Sequence, residues 1–165
     1  MNAIREARRR TLRRASRKKE EMMIRKAKSD DLETVAALAG LLWPDAELLK
    51  EEYSGLLEDP DCAVFLWETE GKAAGFAQAQ LRHDYVEGTD TSPVGYLEGI
   101  YVREADRSRG IAAALLRACE GWAAGKGCRE FASDCELTNE VSQAFHQKMG
   151  FTEANRIVCF VKTLQ

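Results

Sequence analysis

The stretch DRSRGIAAALL, residues 106–116, places two arginines and a glycine directly before a run of small and apolar residues. The run predicts a helix from Gly110 to about Gly125, and the first N–H groups of a helix have no partner within it. The helix dipole adds positive charge at this end, where Arg107 and Arg109 add more. Because glycine has no side chain, an anion can approach the backbone closely here. The stretch therefore predicts a cradle for a diphosphate group at a helix N-terminus.

Other phosphate-binding motifs are absent from the sequence. It has no G-x-x-x-x-G-K-[ST], and no G-x-G-x-x-G follows a predicted strand, so neither a nucleotide triphosphatase nor a dinucleotide-binding fold is indicated. Taken alone, the stretch at 106–116 is equally compatible with an ordinary helix start that carries two solvated arginines.

Strand and helix patterns alternate around this helix. Strands are predicted at 24–28, 62–69, 73–81, 94–102, 129–135 and 156–164. Helices are predicted at 46–58, 110–125 and 139–149, and a further helix has Ser29 or Asp30 as its N-cap and an apolar face from Leu32 to Leu42. The strands at 62–69 and 73–81 form a hairpin, and the passage from 94 to 135 is a β-α-β unit with a right-handed crossover. We expect an α/β (α+β) fold with a mixed, mostly antiparallel central sheet flanked by helices.

The apolar strand VGYLEGIYV, residues 94–102, contains a glycine in its interior. An interior glycine weakens a strand and marks either a bulge or a close approach to the backbone. We therefore expect an irregularity at Gly99.

The charge of the chain is unevenly placed. The net charge is −3 over 165 residues, but residues 1–21 hold nine Lys/Arg and three Glu, which leaves −9 on the rest. Residues 1–22 have too few large apolar side chains to fold, so we expect a disordered basic arm before one domain at 23–165. The arm is either a tail that precedes a start at Met22 or Met23, or an attachment to nucleic acid or a membrane surface. The acidic domain favours cationic substrates and makes nucleic acid an unexpected partner.

The cysteines and histidines predict no metal site. Five cysteines are scattered without a C-x-x-C pair, and the two histidines, His83 and His146, lie far apart. Reduced thiols of this kind are typical of cytoplasmic proteins. No run has transmembrane length and no apolar signal-peptide core follows the N-terminus, so we expect a cytoplasmic protein without a membrane partner.

Two motifs resemble those of a known superfamily. Arg107-x-x-Gly110-x-Ala112 resembles the acyl-CoA motif [RQ]-x-x-G-x-[GA] of the GNAT N-acetyltransferases, and NEVSQAFHQKMGF, residues 139–151, resembles their later helix N-x-x-A-x-x-x-Y-x-x-x-G-F. The resemblance implies a GNAT domain in which one strand splays from its neighbour at the acetyl-CoA site. Acetyl-CoA would be the acetyl donor, with no metal. The cofactor-binding residues that the resemblance implies are Ile100, Tyr101, Val102, Arg107, Ser108, Arg109, Gly110, Ile111, Ala112, Ala113 and Asn139.

The strand and the later helix receive separate roles from the resemblance. The amides of residues 100–102 would hydrogen-bond the acetyl carbonyl and the pantetheine, and an amide aimed at a developing oxyanion is a usual device in acyl transfer. Asn139 would contact the pantetheine end. His146 stands where the family has a tyrosine that protonates the departing thiolate. It is either that acid, a hydrogen-bond donor, or a residue that only packs over the cofactor.

A finer resemblance concerns the substrate. LLWPD, DYVEGTDTSPV, LEGIYV and EFASDCELTNE together look like the aminoglycoside 6'-N-acetyltransferases, which are bacterial resistance enzymes. Aminoglycosides are polycations, which suits an acidic domain. The resemblance implies carboxylates at Glu98 and Asp134, and contacts from Trp43 and Tyr85, around the antibiotic. Taken alone, Trp43 reads as a core anchor, Tyr85 as a loop residue, and the two carboxylates as solvated strand-edge acids.

Two positions depart from the relatives. Some carry histidine where this chain has Ala46, and an acidic residue where it has Asn155. These changes are expected to weaken antibiotic binding or alter which antibiotics fit.

The mechanism expected is direct transfer without an acyl-enzyme. Glu98, directly or through a water, would accept the proton of the amine, while Asp134 orients the sugar. Cys135 needs no role as a nucleophile. A homodimer is implied by the family. The alternatives are acetylation of another amine, such as a polyamine or a peptide N-terminus, and a non-catalytic acetyl-CoA-binding module.

Overall fold

A computed structural model describes residues 22–44 and 47–164. Its strands are β1 (Met22–Lys26), β2 (Cys62–Thr69), β3 (Lys72–Arg82), β4 (Val94–Val102) and β5 (Phe131–Ser133). Its α-helices are α1 (Leu32–Leu42), α2 (Leu49–Leu56), α3 (Ile111–Gly125) and α4 (Glu140–Lys148). The arm predicted at 1–22 lies outside the described residues except for Met22, which belongs to β1 rather than to the arm. None of the described helices is long and apolar enough to cross a membrane.

The strands form one sheet in the order β1-β2-β3-β4-β5. The first three pairs are antiparallel, including the predicted hairpin of β2 and β3, and β4 pairs with β5 in parallel. The parallel pair follows from the chain order, because a crossover through α3 separates the two strands. The predicted mixed, mostly antiparallel sheet flanked by helices is confirmed.

The sheet separates two apolar cores. Alternation along β3 sends Phe76 to one face, where it packs with Leu38 of α1 and Tyr53 of α2. Ala77 points to the other face and packs with Leu115 of α3. All of these side chains are almost completely buried. The small side chain at residue 77 therefore leaves room for α3 against the sheet.

The first helix has a later N-cap residue than predicted. Residues Ser29–Asp31 form a 3₁₀ turn, so α1 begins at Leu32 with Asp31 as its N-cap residue, not Ser29 or Asp30. The carboxylate of Asp31 accepts two hydrogen bonds from Arg25, at 2.7 and 2.8 Å, and one from the Lys28 amide, at 2.9 Å. This ion pair ties the turn to β1 and thereby sets the start of the helix.

Two further elements are shorter than predicted. The helix predicted at 46–58 is α2 at Leu49–Leu56, and the strand predicted at 129–135 is β5 at Phe131–Ser133. β5 is short because β4 offers it a straight edge only over 95–97, before a bulge.

The prediction of a strand at 156–164 is wrong. These residues form no helix or strand, and their large apolar side chains are exposed, with Phe160 at 92% and Val161 at 99%. High β-propensity produces a strand only where an edge is available for pairing. The segment meets no such edge within the described chain.

Candidate active site

The N-terminus of α3 has the geometry that its sequence predicted. Gly110 is the N-cap residue with φ 79° and ψ 5°, a left-handed conformation that favours glycine. The first intrahelical bond at this end runs from the Ala114 amide to the Gly110 carbonyl, at 3.1 Å. The amides of residues 111–113 therefore point out of the helix end. A Cβ at Gly110 would meet no atom of the described chain within 4 Å, so the space in front of this turn is open.

The two arginines beside this turn differ in their contacts. Arg107 Nε–H donates to the Val102 carbonyl at 3.0 Å, and its guanidinium carbon lies 5.7 Å from the centroid of the Tyr101 ring. Arg109 forms an ion pair with Asp106 at 2.7 Å. Arg107 thus joins the start of α3 to the end of β4.

β4 separates from β5 where the acetyl-CoA resemblance places the reacting group. The two strands pair only at Gly95–Leu97, so the far half of β4 has no strand along this edge in the described chain. The Arg103 amide donates to the Ala74 carbonyl on β3, at 2.8 Å. Since amides alternate between the two edges of a strand, Ile100 and Val102 face the open edge and Tyr101 faces β3. Of the three predicted amides, the geometry therefore favours two.

Gly99 marks both a bulge and a close approach. Gln78 lies opposite Gly99 and Ala79 opposite Leu97, which leaves Glu98 as the extra residue of β4. A Cβ at Gly99 would lie 2.4 Å from the ring of Trp43. The indole lies directly after α1 and therefore presses against β4 at the residue next to Glu98.

The two predicted carboxylates are joined by Arg82 and Tyr96, which were not predicted as site residues. Arg82 Nη2 donates to both oxygens of Glu98 at 2.9 Å, and Nε–H to Oε1 at 3.1 Å. The guanidinium carbon lies 3.4 Å from the centroid of the Tyr96 ring, and the Tyr96 hydroxyl donates to Asp134 at 2.7 Å. Burial and this bond to Asp134 raise the pKa of Tyr96. The spacing of Tyr96 and Glu98 at i and i+2 in a strand was the available signal that they share a site.

The loop between β3 and β4 carries Tyr85 and is held by the carboxylate of Glu130. Glu130 accepts hydrogen bonds from the Thr91 amide at 2.7 Å, the Asp90 amide at 3.0 Å and the Thr91 hydroxyl. The Thr91 hydroxyl bond, followed by the amide bonds, lowers the pKa of Glu130. Tyr85 is 79% exposed, and its hydroxyl donates to Glu87 at 3.0 Å. The ring is therefore open to a ligand.

The segment after α4 contacts the same loop. Asn155 Nδ2 donates to Glu87 Oε1 at 3.2 Å, and a Cβ at Gly88 would lie 2.4 Å from the Ala154 methyl. Asn155, one of the two positions that differ from the relatives, therefore contacts Glu87, the hydrogen-bond partner of Tyr85. Ala46, the other departure, lies outside the described residues.

His146 of α4 has one committed ring nitrogen and one buried without a partner. Nδ1 lies 2.7 Å from the Ser142 carbonyl, which can only accept, so Nδ1–H donates. Nε2 is buried and has no hydrogen-bond partner in the described chain. The rings of Phe145 and Phe151 pack edge-on to the imidazole, at 5.8 and 5.1 Å. Asn139 caps the helix, because its Oδ1 accepts from the Ser142 amide at 3.0 Å.

The cysteines contribute no visible chemistry to this site. All five are free, and burial raises the pKa of Cys62 and Cys119 to about 12. Cys135 is half-buried beside Asp134. No group of three or more His, Cys, Asp and Glu side chains with metal-binding geometry occurs within residues 22–44 and 47–164.

Comparison with known proteins identifies the family. The model of the acetyltransferase (GNAT) family matches residues 23–151. The chain belongs to the GNAT family. The predicted resemblance is therefore confirmed, and the splayed β4 and open helix end described above are features of a GNAT domain in this chain.

Three similar proteins are aminoglycoside acetyltransferases. The aminoglycoside N(6')-acetyltransferase type 1 of Stenotrophomonas maltophilia is 43% identical over 143 residues, covering 86% of this chain and 94% of that protein. The structure of AAC(6')-Iy with a bisubstrate analogue, CoA-S-monomethyl-acetylneamine, is 40% identical with a TM-score of 0.84, covering 87% and 99%. AAC(6')-Ih from Acinetobacter baumannii, an aminoglycoside 6'-N-acetyltransferase, is 40% identical with a TM-score of 0.82, covering 87% and 99%.

Proposed function

We propose that this GNAT protein transfers the acetyl group of acetyl-CoA to the 6'-amine of an aminoglycoside and thereby confers antibiotic resistance. The observation that carries the proposal is the linked pair of carboxylates, Glu98 and Asp134, beside the open edge of β4. The names of relatives with about 40% identity over most of the chain support it.

Acetyl-CoA binds between the end of β4 and the start of α3 in this proposal. The outward amides of α3 and the nearby arginines hold the diphosphate, through Arg107, Ser108, Arg109, Gly110, Ile111, Ala112 and Ala113. The open-edge amides of Ile100 and Val102 bind the acetyl carbonyl and the pantetheine, with Tyr101 between them. The side-chain oxygen of Asn139, Oδ1, caps α4, so the side-chain NH₂ group is the part that contacts the pantetheine.

The aminoglycoside binds on the other side of the acetyl group. Trp43 presses against Gly99 and offers an apolar surface to a sugar ring, while the exposed Tyr85 contacts it from the loop. Asp134 binds an ammonium group. Residues 22–165 carry a formal charge of −9, which attracts a polycation and disfavours nucleic acid.

Glu98 is the general base of the proposed reaction. It accepts a proton from the 6'-ammonium, and the resulting amine attacks the acetyl carbonyl. The tetrahedral intermediate expels the CoA thiolate and loses a second proton from nitrogen, which the thiolate takes up, to give the amide and CoA. An open-edge amide of β4 stabilises the oxyanion on the way, without any acyl-enzyme.

His146 assists the departing thiolate through Nε2 in this proposal. Nδ1–H is committed to the Ser142 carbonyl, so a neutral ring presents Nε2 as an acceptor. Nε2 can donate a proton to the thiolate only when the ring is charged. The buried and unpartnered state of this atom supports a contact with a group that the chain does not itself supply.

We also propose a cytoplasmic homodimer. The apolar side chains exposed along 156–164 need a cover, and a second copy of the chain supplies an equivalent surface. The free cysteines support a reducing compartment.

A thiol-release assay tests the function. The full chain is incubated with acetyl-CoA and, separately, kanamycin-type aminoglycosides, polyamines and peptides, and the acetylated position is assigned by NMR. We expect CoA release with aminoglycosides and acetylation at the 6'-nitrogen. Turnover only with polyamines or peptides, or none with any amine, would overturn the proposal.

A further inference from the structure

The last residue of β3, Arg82, holds both halves of the proposed antibiotic site. Its guanidinium donates three hydrogen bonds of 2.9 to 3.1 Å to the carboxylate of Glu98. The same group stacks on Tyr96 at 3.4 Å, and Tyr96 in turn donates to Asp134 at 2.7 Å. One side chain therefore connects the two carboxylates.

A positive side chain is unexpected in a site for a polycation. Arg82 opposes the approach of ammonium groups and neutralises one of the two carboxylates that should attract them. Charge complementarity therefore does not explain it. The contacts depend instead on the planar fork and on the flat face of the guanidinium, which Lys cannot reproduce.

Glu98 needs such a support because of its place in the strand. As the extra residue of the bulge, it has no partner on β3, so no regular ladder position holds its backbone. Its side chain is nevertheless only 20% exposed, against 43% for Arg82. Oε1 accepts two N–H groups of the fork and Oε2 accepts one, so Oε2 keeps the greater capacity to accept from a substrate.

We propose that Arg82 is a positioning residue that aims Oε2 of Glu98 at the reacting amine and holds Tyr96 so that it orients Asp134. The inference rests on the proposed function and deepens it. Arg82 touches neither the reacting atoms nor acetyl-CoA. It acts through Glu98 on the rate of transfer and through Tyr96 on the binding of the aminoglycoside.

Two other roles for Arg82 give different kinetics. A plain counter-ion would repel the antibiotic, so its removal would lower the aminoglycoside KM and leave kcat unchanged. A purely structural residue would lower the melting temperature and impair acetyl-CoA binding along with transfer. A positioning residue lowers kcat while acetyl-CoA binding stays intact.

The test uses Arg82→Gln, Arg82→Lys, Glu98→Gln and the double variant of Arg82→Gln with Glu98→Gln. We expect kcat for the aminoglycoside to fall about 10- to 100-fold in both Arg82 variants, as for a misplaced catalytic group, with an unchanged acetyl-CoA KM. In the Glu98→Gln background, Arg82→Gln should add less than about twofold, because residues that act through one another are not additive. Arg117→Gln, on the exposed face of α3, is the matched control and should behave as wild type.

A further variant separates the effect of Arg82 through Tyr96 from its effect through Glu98. Tyr96→Phe keeps the ring under Arg82 and removes the bond to Asp134, so it should raise the aminoglycoside KM and largely preserve kcat. If Arg82→Gln fails to fold, Arg82→Lys, which keeps the charge and the long stem, decides the question.

Several results would overturn the inference. These are wild-type kcat in Arg82→Lys, a lower aminoglycoside KM with unchanged kcat in Arg82→Gln, or effects of Arg82→Gln and Glu98→Gln that multiply. A wild-type protein that acetylates no aminoglycoside refutes the proposed function itself. If the wild-type protein acetylates the aminoglycoside and the Arg82 variants do so at the same rate, only the role of Arg82 is refuted.

Discussion

At the scale of the residue, Glu98 combines features that a strand carboxylate rarely has. It lies in a bulge, next to a glycine against which Trp43 packs, and it is held by a forked arginine. A carboxylate in an apolar setting is costly unless it is paired. The pairing with Arg82 removes that cost and leaves an oxygen able to accept a proton.

We expect Glu98→Gln to reduce kcat for the aminoglycoside about 10²- to 10⁴-fold, the usual contribution of a general base. Glutamine has the same shape but cannot accept the proton of the ammonium. Steady-state kinetics with thiol detection measure the effect. Glu52→Gln, an exposed carboxylate on α2, is the control and should keep wild-type rates. Unchanged turnover in Glu98→Gln would remove the residue from this role.

At the scale of the element, α3 and β4 are built to leave backbone groups unpaired. α3 starts on a left-handed glycine with no side chain over its first amides, and β4 leaves β5 after three residue pairs. Unpaired backbone groups in a folded protein call for partners. In the proposed complex, the thioester and the diphosphate of acetyl-CoA supply partners to both elements at once.

We expect Gly110→Ala to raise the acetyl-CoA KM about tenfold and to leave the aminoglycoside KM unchanged. An alanine at this positive φ is strained by about 1–2 kcal/mol, so the turn should relax and move the α3 amides out of place. A loss of about 1.4 kcal/mol of binding free energy corresponds to the tenfold change. Titration calorimetry with CoA measures the loss directly. Gly121→Ala is the matched control, since a Cβ at that helical position meets no atom of the described chain within 4 Å. It should bind CoA normally and gain up to about 1 kcal/mol of stability. Normal CoA affinity in Gly110→Ala would contradict the cradle.

At the scale of the whole molecule, charge and exposed apolar surface suggest different partners. The acidic domain suits a small polycation, whereas the exposed residues of 156–164 suit another apolar surface. We propose a substrate as the first partner and a copy of the chain as the second.

We expect the wild-type protein to be dimeric in solution and Phe160→Asp to shift it toward monomer. Each copy loses a Phe side chain that the dimer would bury, at about 1.5–3 kcal/mol, so the two copies together weaken the dimer roughly 10²- to 10⁴-fold. Light scattering across a dilution series measures the mass. Thr152→Asp adds the same charge at an exposed position outside the segment and should stay dimeric. A monomeric wild-type protein would refute the proposed homodimer.

The family and the order of the elements were predictable from local patterns. The motif at Arg107-x-x-Gly110-x-Ala112 and the run at 139–151 predicted the GNAT domain, and apolar runs predicted β2, β3 and β4. Gly99 predicted an irregularity in β4, which the structure confirms as the bulge at Glu98. The roles of Glu98, Asp134, His146, Trp43 and Tyr85 stay predictions for the experiments above.

Arg82 and Tyr96 could not be assigned from the sequence, because their importance comes from contacts between neighbouring strands. The strand at 156–164 was predicted wrongly for a related reason, since a β-rich segment needs a free edge beside it. The sequence by itself determined the periodicities, the open helix start and the acidic charge, which are local or summed properties of the chain. Only the tertiary structure decided which side chains meet at the end of β3 and which apolar residues stay uncovered, because both depend on the register and packing of distant segments.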